Sequence, residues 1–144
     1  MFGGGLTTGI ALVYKGSQTQ VIPVEPEQFD DMKRSLALNK IQDNKATYST
    51  GLCDGLTTFT PGVVTWQLKD LFAPFGLSVS DHDVVKAVCF AFEKLRLVIE
   101  PSGAVGIAAL LAKKLIVKGK TTVIVVTGGN VDTHVFCKIL GQSL

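Results

Sequence analysis

Four short runs in the 144-residue chain combine residue types that could do chemistry. The first is Gly3-Gly4-Gly5-Leu6-Thr7-Thr8-Gly9. Successive glycines let backbone N–H groups converge on an anion, because no Cβ blocks the approach. A helix opening there would add its positive end. No Gly-Lys-Ser/Thr follows, so a nucleotide P-loop is not indicated; the run reads as a phosphate cradle or as a flexible N-terminus. The second run, Val126-Thr127-Gly128-Gly129-Asn130, sets a hydroxyl just past an apolar β-branched stretch. In α/β proteins, ligand contacts cluster at the C-terminal edge of such a strand, although two glycines also serve a plain strand-to-helix turn. The third, Glu25-Pro26-Glu27-Gln28-Phe29-Asp30-Asp31, holds four carboxylates within seven residues. Glu25 and Asp31, with a backbone carbonyl between them, could offer hard oxygen ligands to Mg²⁺ or Ca²⁺. It is not an EF-hand, and a solvated acidic helix start is the alternative. The fourth, Ile99-Glu100-Pro101-Ser102-Gly103-Ala104, puts one carboxylate between apolar and small residues. If buried, that carboxylate must find a partner or lose its charge.

The elements that must position these runs alternate in the α/β manner. A helix is expected from Leu6 to Lys15, and Val21-Ile22-Pro23-Val24 reads as a short strand. Phe29, Met32 and Leu36 stand at helical spacing, so 29–38 is predicted helical. Residues 39–56 are polar and read mostly as loop. Pro61 suits the first turn of a helix carrying Val63, Val64, Trp66, Leu68 and Leu71. Leu77-Ser78-Val79 is a predicted strand. Ser80 is the expected cap of a helix to Leu97 that buries Val84, Val85, Val88, Phe92 and Leu95. Pro101 starts a further helix ending near Lys113-Lys114. The run TTVIVV that ends at Val126 is β-branched throughout and predicts a parallel strand buried on both faces. A helix from Val131 to Leu140 closes the pattern. The glycine run has a helix after it but no strand before it, so either the protein begins abnormally or a preceding part is missing.

Bulk properties exclude several classes. Hydrophobic residues make up 47% of the chain, enough for a folded core in one domain. Fourteen basic and twelve acidic residues are intermixed, with no basic stripe, so nucleic acid is not an implied partner. No apolar run reaches transmembrane length, and Met1-Phe2 leads directly into glycines without a signal-peptide pattern. Cys53, Cys89 and Cys137 are widely separated, as for reduced, buried thiols in a cytoplasmic protein. His82 and His134 read as surface residues.

Taken in order, FGGGL, VEPEQFDD, CDGL, IEPSGAVGIAAL and VTGGN resemble the large domain of the serine/threonine dehydratase family, with serine racemases as the nearest members. The resemblance spans Phe2 to Asn130. It implies the fold type II pyridoxal-phosphate architecture: an open, mostly parallel twisted sheet with helices on both faces. It also implies that the amides of Gly3, Gly4, Gly5 and Leu6 bind the phosphate of pyridoxal 5′-phosphate. The Thr127 hydroxyl would meet the pyridine nitrogen, and Gly55 and Glu100 would lie near ring and substrate. Glu25, Asp31 and the Phe29 carbonyl would match a Mg²⁺ or Ca²⁺ site, and Asn130 a nucleotide-effector contact.

Two departures from the family pattern matter. The first of the family's four loop glycines is Phe2 here, whose ring could obstruct the phosphate. The family's Schiff-base lysine lies upstream of the glycine loop, and none of Lys15, Lys33, Lys113 or Lys114 has its sequence context; all read as helix-surface charges. No catalytic residue is therefore expected in this chain. The resemblance implies a portion, inactive alone, of a homodimeric enzyme that eliminates water and ammonia from serine or threonine, or racemises serine. The alternative is a non-catalytic cation- or phosphate-binding regulatory module of the same descent. An unrelated phosphate-binding α/β domain would explain the glycine run but not the other four. An unpaired strand edge predicts low solubility of the isolated chain.

Overall fold

The computed structural model describes residues 2–44 and 51–142, apart from the side chain of Phe2. The chain divides into two compact units. The first comprises residues up to 50 together with Gly55–Ser78; the second comprises Gly51–Asp54 and Val79–Leu144.

In the first unit, α1 (Gly5–Val13) follows a tight turn through Phe2–Gly4. β1 (Val24–Pro26) comes next, beginning later than the expected 21–24. A single turn at Glu27–Phe29 leads into α2 (Asp31–Leu38). α3 (Val63–Gln67) continues into a turn at Lys69–Leu71. β2 (Leu77–Val79) pairs with β1 in a two-stranded sheet. Val21 O accepts from Ala73 N and Pro23 O from Leu77 N, both at 2.9 Å, so the chains run parallel. A small core of Ala11, Met32 and Phe72 is flanked by Val21, Leu36, Trp66 and Leu71. α2 thus turns its Met32–Leu36 stripe inward, as its spacing predicts.

In the second unit, Ser80 caps α4 (Asp81–Phe90). Its hydroxyl accepts from Asp83 N, and the Asp83 carboxylate accepts from Ser80 N at 3.1 Å, a reciprocal capping box. α4 packs on α5 (Val105–Leu111) and α6 (Thr133–Gly141). Val84, Ala87, Val88, Ala104 and Ala108 are fully buried there. Val84 and Val88 fulfil the sequence pattern, whereas Phe92 and Leu95 remain partly exposed. The Phe92 ring meets Phe136 edge to face, with centroids 5.5 Å apart.

One strong expectation fails. Residues 121–132 form no strand, and Val123 is 80% exposed. Gly103 and Gly106 let this segment lie close against the start of α5. A Cβ at Gly103 would stand 1.7 Å from Thr127 O, and one at Gly106 would stand 2.8 Å from Ile124 Cγ2. A parallel strand acquires its ladder and its second buried face from neighbours, and among the described residues no strand lies in a sheet with this segment. The composition expresses a preference that these residues cannot satisfy by themselves. No helix among the described residues is long and apolar enough to cross a membrane.

Candidate cofactor-binding site

The tri-glycine turn belongs to the first unit. Gly3 (φ 65°, ψ 10°) and Gly4 (φ 85°, ψ 10°) are both left-handed, a conformation that glycine adopts without the Cβ penalty. The Gly3 carbonyl accepts from Gly62 N at 3.2 Å and from the Thr65 hydroxyl. The Gly4 carbonyl accepts from the Thr8 hydroxyl at 2.9 Å. All described peptides are trans, so each N–H points opposite the carbonyl of its own peptide plane. Tying back these two carbonyls therefore turns the amides of Gly4 and Gly5 the other way. A Cβ on Gly5 would meet nothing within 4 Å, so the approach to the turn is open on that side. The expectation that the Phe2 ring obstructs it lies outside the described residues.

The acidic pair is in the same unit. Glu25 Oε1 accepts from Met32 N at 3.0 Å and Oε2 from Lys33 N at 2.9 Å, so this carboxylate caps the first turn of α2 from outside. Burial, and then the neighbouring charge of Asp31, push its pKa up to about 8 against the pull of the two amides. Asp31 is fully buried and its pKa is also raised, chiefly by burial; the amide of Asn44, 2.6 Å from Oδ1, partly offsets this. Gly3, Gly4, Glu25 and Asp31 line one cavity of about 50 Å³. The structure thus joins two motifs that are more than twenty residues apart. Phe29 does not line this cavity, and its ring is buried. Gly55 lies in the turn Asp54–Leu56, whose Leu56 does line it. Among the described residues no three His, Cys, Asp or Glu side chains gather as a metal site.

Glu100 and Thr127 belong to the second unit. Glu100 N donates to Gly128 O at 3.1 Å. Gly128 is left-handed (φ 78°), and a Cβ there would stand 2.1 Å from Glu100 Oε1. The fourth and second runs therefore come together, with glycine required where the Glu100 carboxylate abuts the backbone. Thr127 and Asn130 are exposed. Lys15, Lys113 and Lys114 are exposed as expected; Lys33 instead is half-buried and donates to Ser78 Oγ at 2.7 Å.

The profile of the pyridoxal-phosphate dependent enzyme family matches residues 1–128. The chain belongs to this family. It is 34% identical to an L-threonine ammonia-lyase of Thermotoga maritima over 99% of its own length and 35% of that protein's. It superposes on the crystal structure of a T.th. threonine deaminase with a TM-score of 0.81 and 33% identity, covering 92% of this chain and 48% of that one. Maize serine racemase gives a TM-score of 0.78 and 31% identity, covering 99% and 45%. The chain spans less than half the length of each. The α/β fold expected from the five motifs is the one these family structures share.

The residues present fit the family's cofactor at its phosphate end. Two left-handed glycines before a nine-residue helix offer directed amides and open space beside Gly5, which is the donor chemistry a phosphate needs. Sequence reasoning missed three contributors. Thr65 and Asn44 hold the turn and Asp31 from far along the chain, and Thr8 lies in the glycine run with no sign that its hydroxyl reaches a carbonyl. No local spacing signals a contact made across 57 positions, such as Thr8 to Thr65.

Proposed function

We propose that these residues form the phosphate-holding portion of a serine or threonine ammonia-lyase (dehydratase) or serine racemase. The lysine that bonds the cofactor would be supplied from outside the 144 residues. The observation that supports this reading is the pair of left-handed glycines with their carbonyls tied back, which turns the amides of Gly4 and Gly5 the other way.

Bound pyridoxal phosphate supplies an electron sink for negative charge developing beside the amino group of an amino acid. In this reading the amides of Gly3, Gly4, Gly5 and Leu6 hold its phosphate, and the Thr127 hydroxyl bonds its ring nitrogen. A neutral hydroxyl there does not enforce a protonated ring, as a carboxylate would, and so tempers the sink. The Glu100 amide holds the Gly128 carbonyl, which orients the segment carrying Thr127. Gly55 and Glu100 lie toward ring and substrate. The substrate class is a small hydroxy amino acid, and the assembly a cytoplasmic homodimer. Asn130 would be a nucleotide-effector contact.

Glu25, Asp31 and the Phe29 carbonyl would hold Mg²⁺ or Ca²⁺. Two neighbouring carboxyls with raised pKa values, lining a shared cavity, favour a compensating cation. The same cavity favours the second reading, a non-catalytic cation- or phosphate-binding module.

Titration of the chain with pyridoxal phosphate, followed by ³¹P NMR, is expected to give saturable binding displaced by inorganic phosphate. Serine and threonine should remain unconsumed by the chain alone. Failure to bind would refute the phosphate reading. Borohydride trapping of the cofactor on a lysine of this chain would refute the external lysine.

A further inference from the structure

We infer that Thr65, relayed through Thr8, is a positioning residue that sets the aim of the glycine-turn amides and thereby the affinity for the cofactor's phosphate. The inference rests on the phosphate reading of the turn.

Glycine reaches the left-handed region freely but leaves it as freely, so two consecutive glycines do not hold a cradle in shape unaided. The lock comes from α3 and its lead-in. Thr65 donates its hydroxyl proton to Gly3 O, which also accepts from Gly62 N. Thr8 stands 2.9 Å from Gly4 O and 3.2 Å from Thr65 Oγ1, so its single proton serves both oxygens. Both threonines are at least nine-tenths buried, at 5% and 6% exposure. A buried hydroxyl that lost its partner would be costly, so the two carbonyls and two hydroxyls hold one another in place.

Sterics reinforce the bonds. A Cβ at Gly4 would lie 2.6 Å from Thr65 Cγ2, and one at Gly62 would lie 2.7 Å from Gly3 O. The Thr65 side chain therefore fills the space behind Gly4, while the Gly5 side stays open. Because each carbonyl shares a rigid plane with the next residue's N–H, fixing Gly3 O fixes the Gly4 amide, and fixing Gly4 O fixes the Gly5 amide. Neither threonine needs to touch the anion.

The test compares Thr65→Val with Thr65→Ser in the 144-residue chain. Inorganic phosphate is the probe, and the ¹H–¹⁵N signals of Gly4 and Gly5 are the readout. Valine keeps the bulk and removes the hydroxyl; serine restores it. In the parent chain phosphate should shift both signals saturably. T65V should bind about tenfold more weakly, the equivalent of about 1.4 kcal/mol and of one net hydrogen bond. Its Gly4 signal should already be displaced before phosphate is added, and T65S should return to within about twofold of the parent. A loss that merely reflected stability would leave the free-state Gly4 signal in place. If T65V does not fold, Thr8→Val against Thr8→Ser makes the same comparison through Gly4 O. Equal affinity within either hydroxyl-bearing and hydroxyl-free pair overturns the positioning role and leaves the cradle standing. No response of Gly4 and Gly5 to phosphate in the parent chain overturns the cradle and the inference with it.

Discussion

A single methyl group added at Gly103 should disturb the Thr127 segment more than any truncation on the segment itself. A Cβ built there would lie 1.7 Å from Thr127 O, 2.8 Å from Thr127 C and 3.3 Å from Gly128 O. Ordinary contact begins at 3.4 Å, so the carbonyl or the start of α5 must move by about 3.4 − 1.7 = 1.7 Å. The obstacle is backbone on both sides, and no rotamer change relieves it. Gly103 N also donates to Glu100 O at 3.0 Å, and Glu100 N to Gly128 O at 3.1 Å. A shift of that size exceeds the tolerance of the second bond. Overpacking costs about 1–3 kcal/mol, and a broken backbone bond adds about 1 kcal/mol, so Gly103→Ala should lose roughly 2–4 kcal/mol. Urea unfolding followed by circular dichroism measures the loss. Amide spectra should show Glu100, Thr127 and Gly128 displaced, with Gly3–Gly5 unchanged. A variant within about 0.5 kcal/mol of the parent, with the Glu100 and Gly128 signals in place, would refute the close approach of the two backbone segments.

Stability should also depend on pH through Glu25. The unfolded chain releases this proton near 4.5, and the folded chain retains it to about 8. The contribution is therefore complete below pH 4.5 and is lost as pH rises to 8, by at most about 5 kcal/mol and by less where solvent screens the half-buried group. Unfolding in chelator at successive pH values should show this decline, and Glu25→Gln should flatten it; a parent that gains stability over that window contradicts the assignment. Ser80→Ala should cost about 1 kcal/mol by removing the α4 capping box, with Ser80→Thr recovering most of it in the same denaturation assay. A thiol-specific disulfide reagent should label Cys137 first, since it is exposed while Cys53 and Cys89 are buried. Burial pushes Cys53 up from 9.0 to about 12, which leaves about a thousandfold less thiolate. Labelling of Cys53 as fast as Cys137 in the native chain would contradict its burial.

The sequence alone determined what is local. Ser80 followed by Asp83 states a capping box, and that box is present. The 77–79 strand was legible from its apolar run between breakers, and the Met32–Leu36 spacing foretold which face of α2 turns inward. The five motifs in order also carried the family, because the tri-glycine turn and the Glu-Pro-Ser-Gly corner are each written within a few consecutive residues. What only the tertiary structure decided is everything joined across distance. Thr65 at the back of Gly4, Asn44 on Asp31, Glu25 across the amides of α2, and the shared cavity of the glycine turn and the acidic pair depend on chain segments whose spacing encodes no contact. Residues 121–127 mark the limit from the other side. Their β-branched composition expresses a preference for a buried strand, but a strand is completed by hydrogen bonds to a neighbour. Whether a neighbour is present is a property of the assembled fold, and no run of valines can supply it.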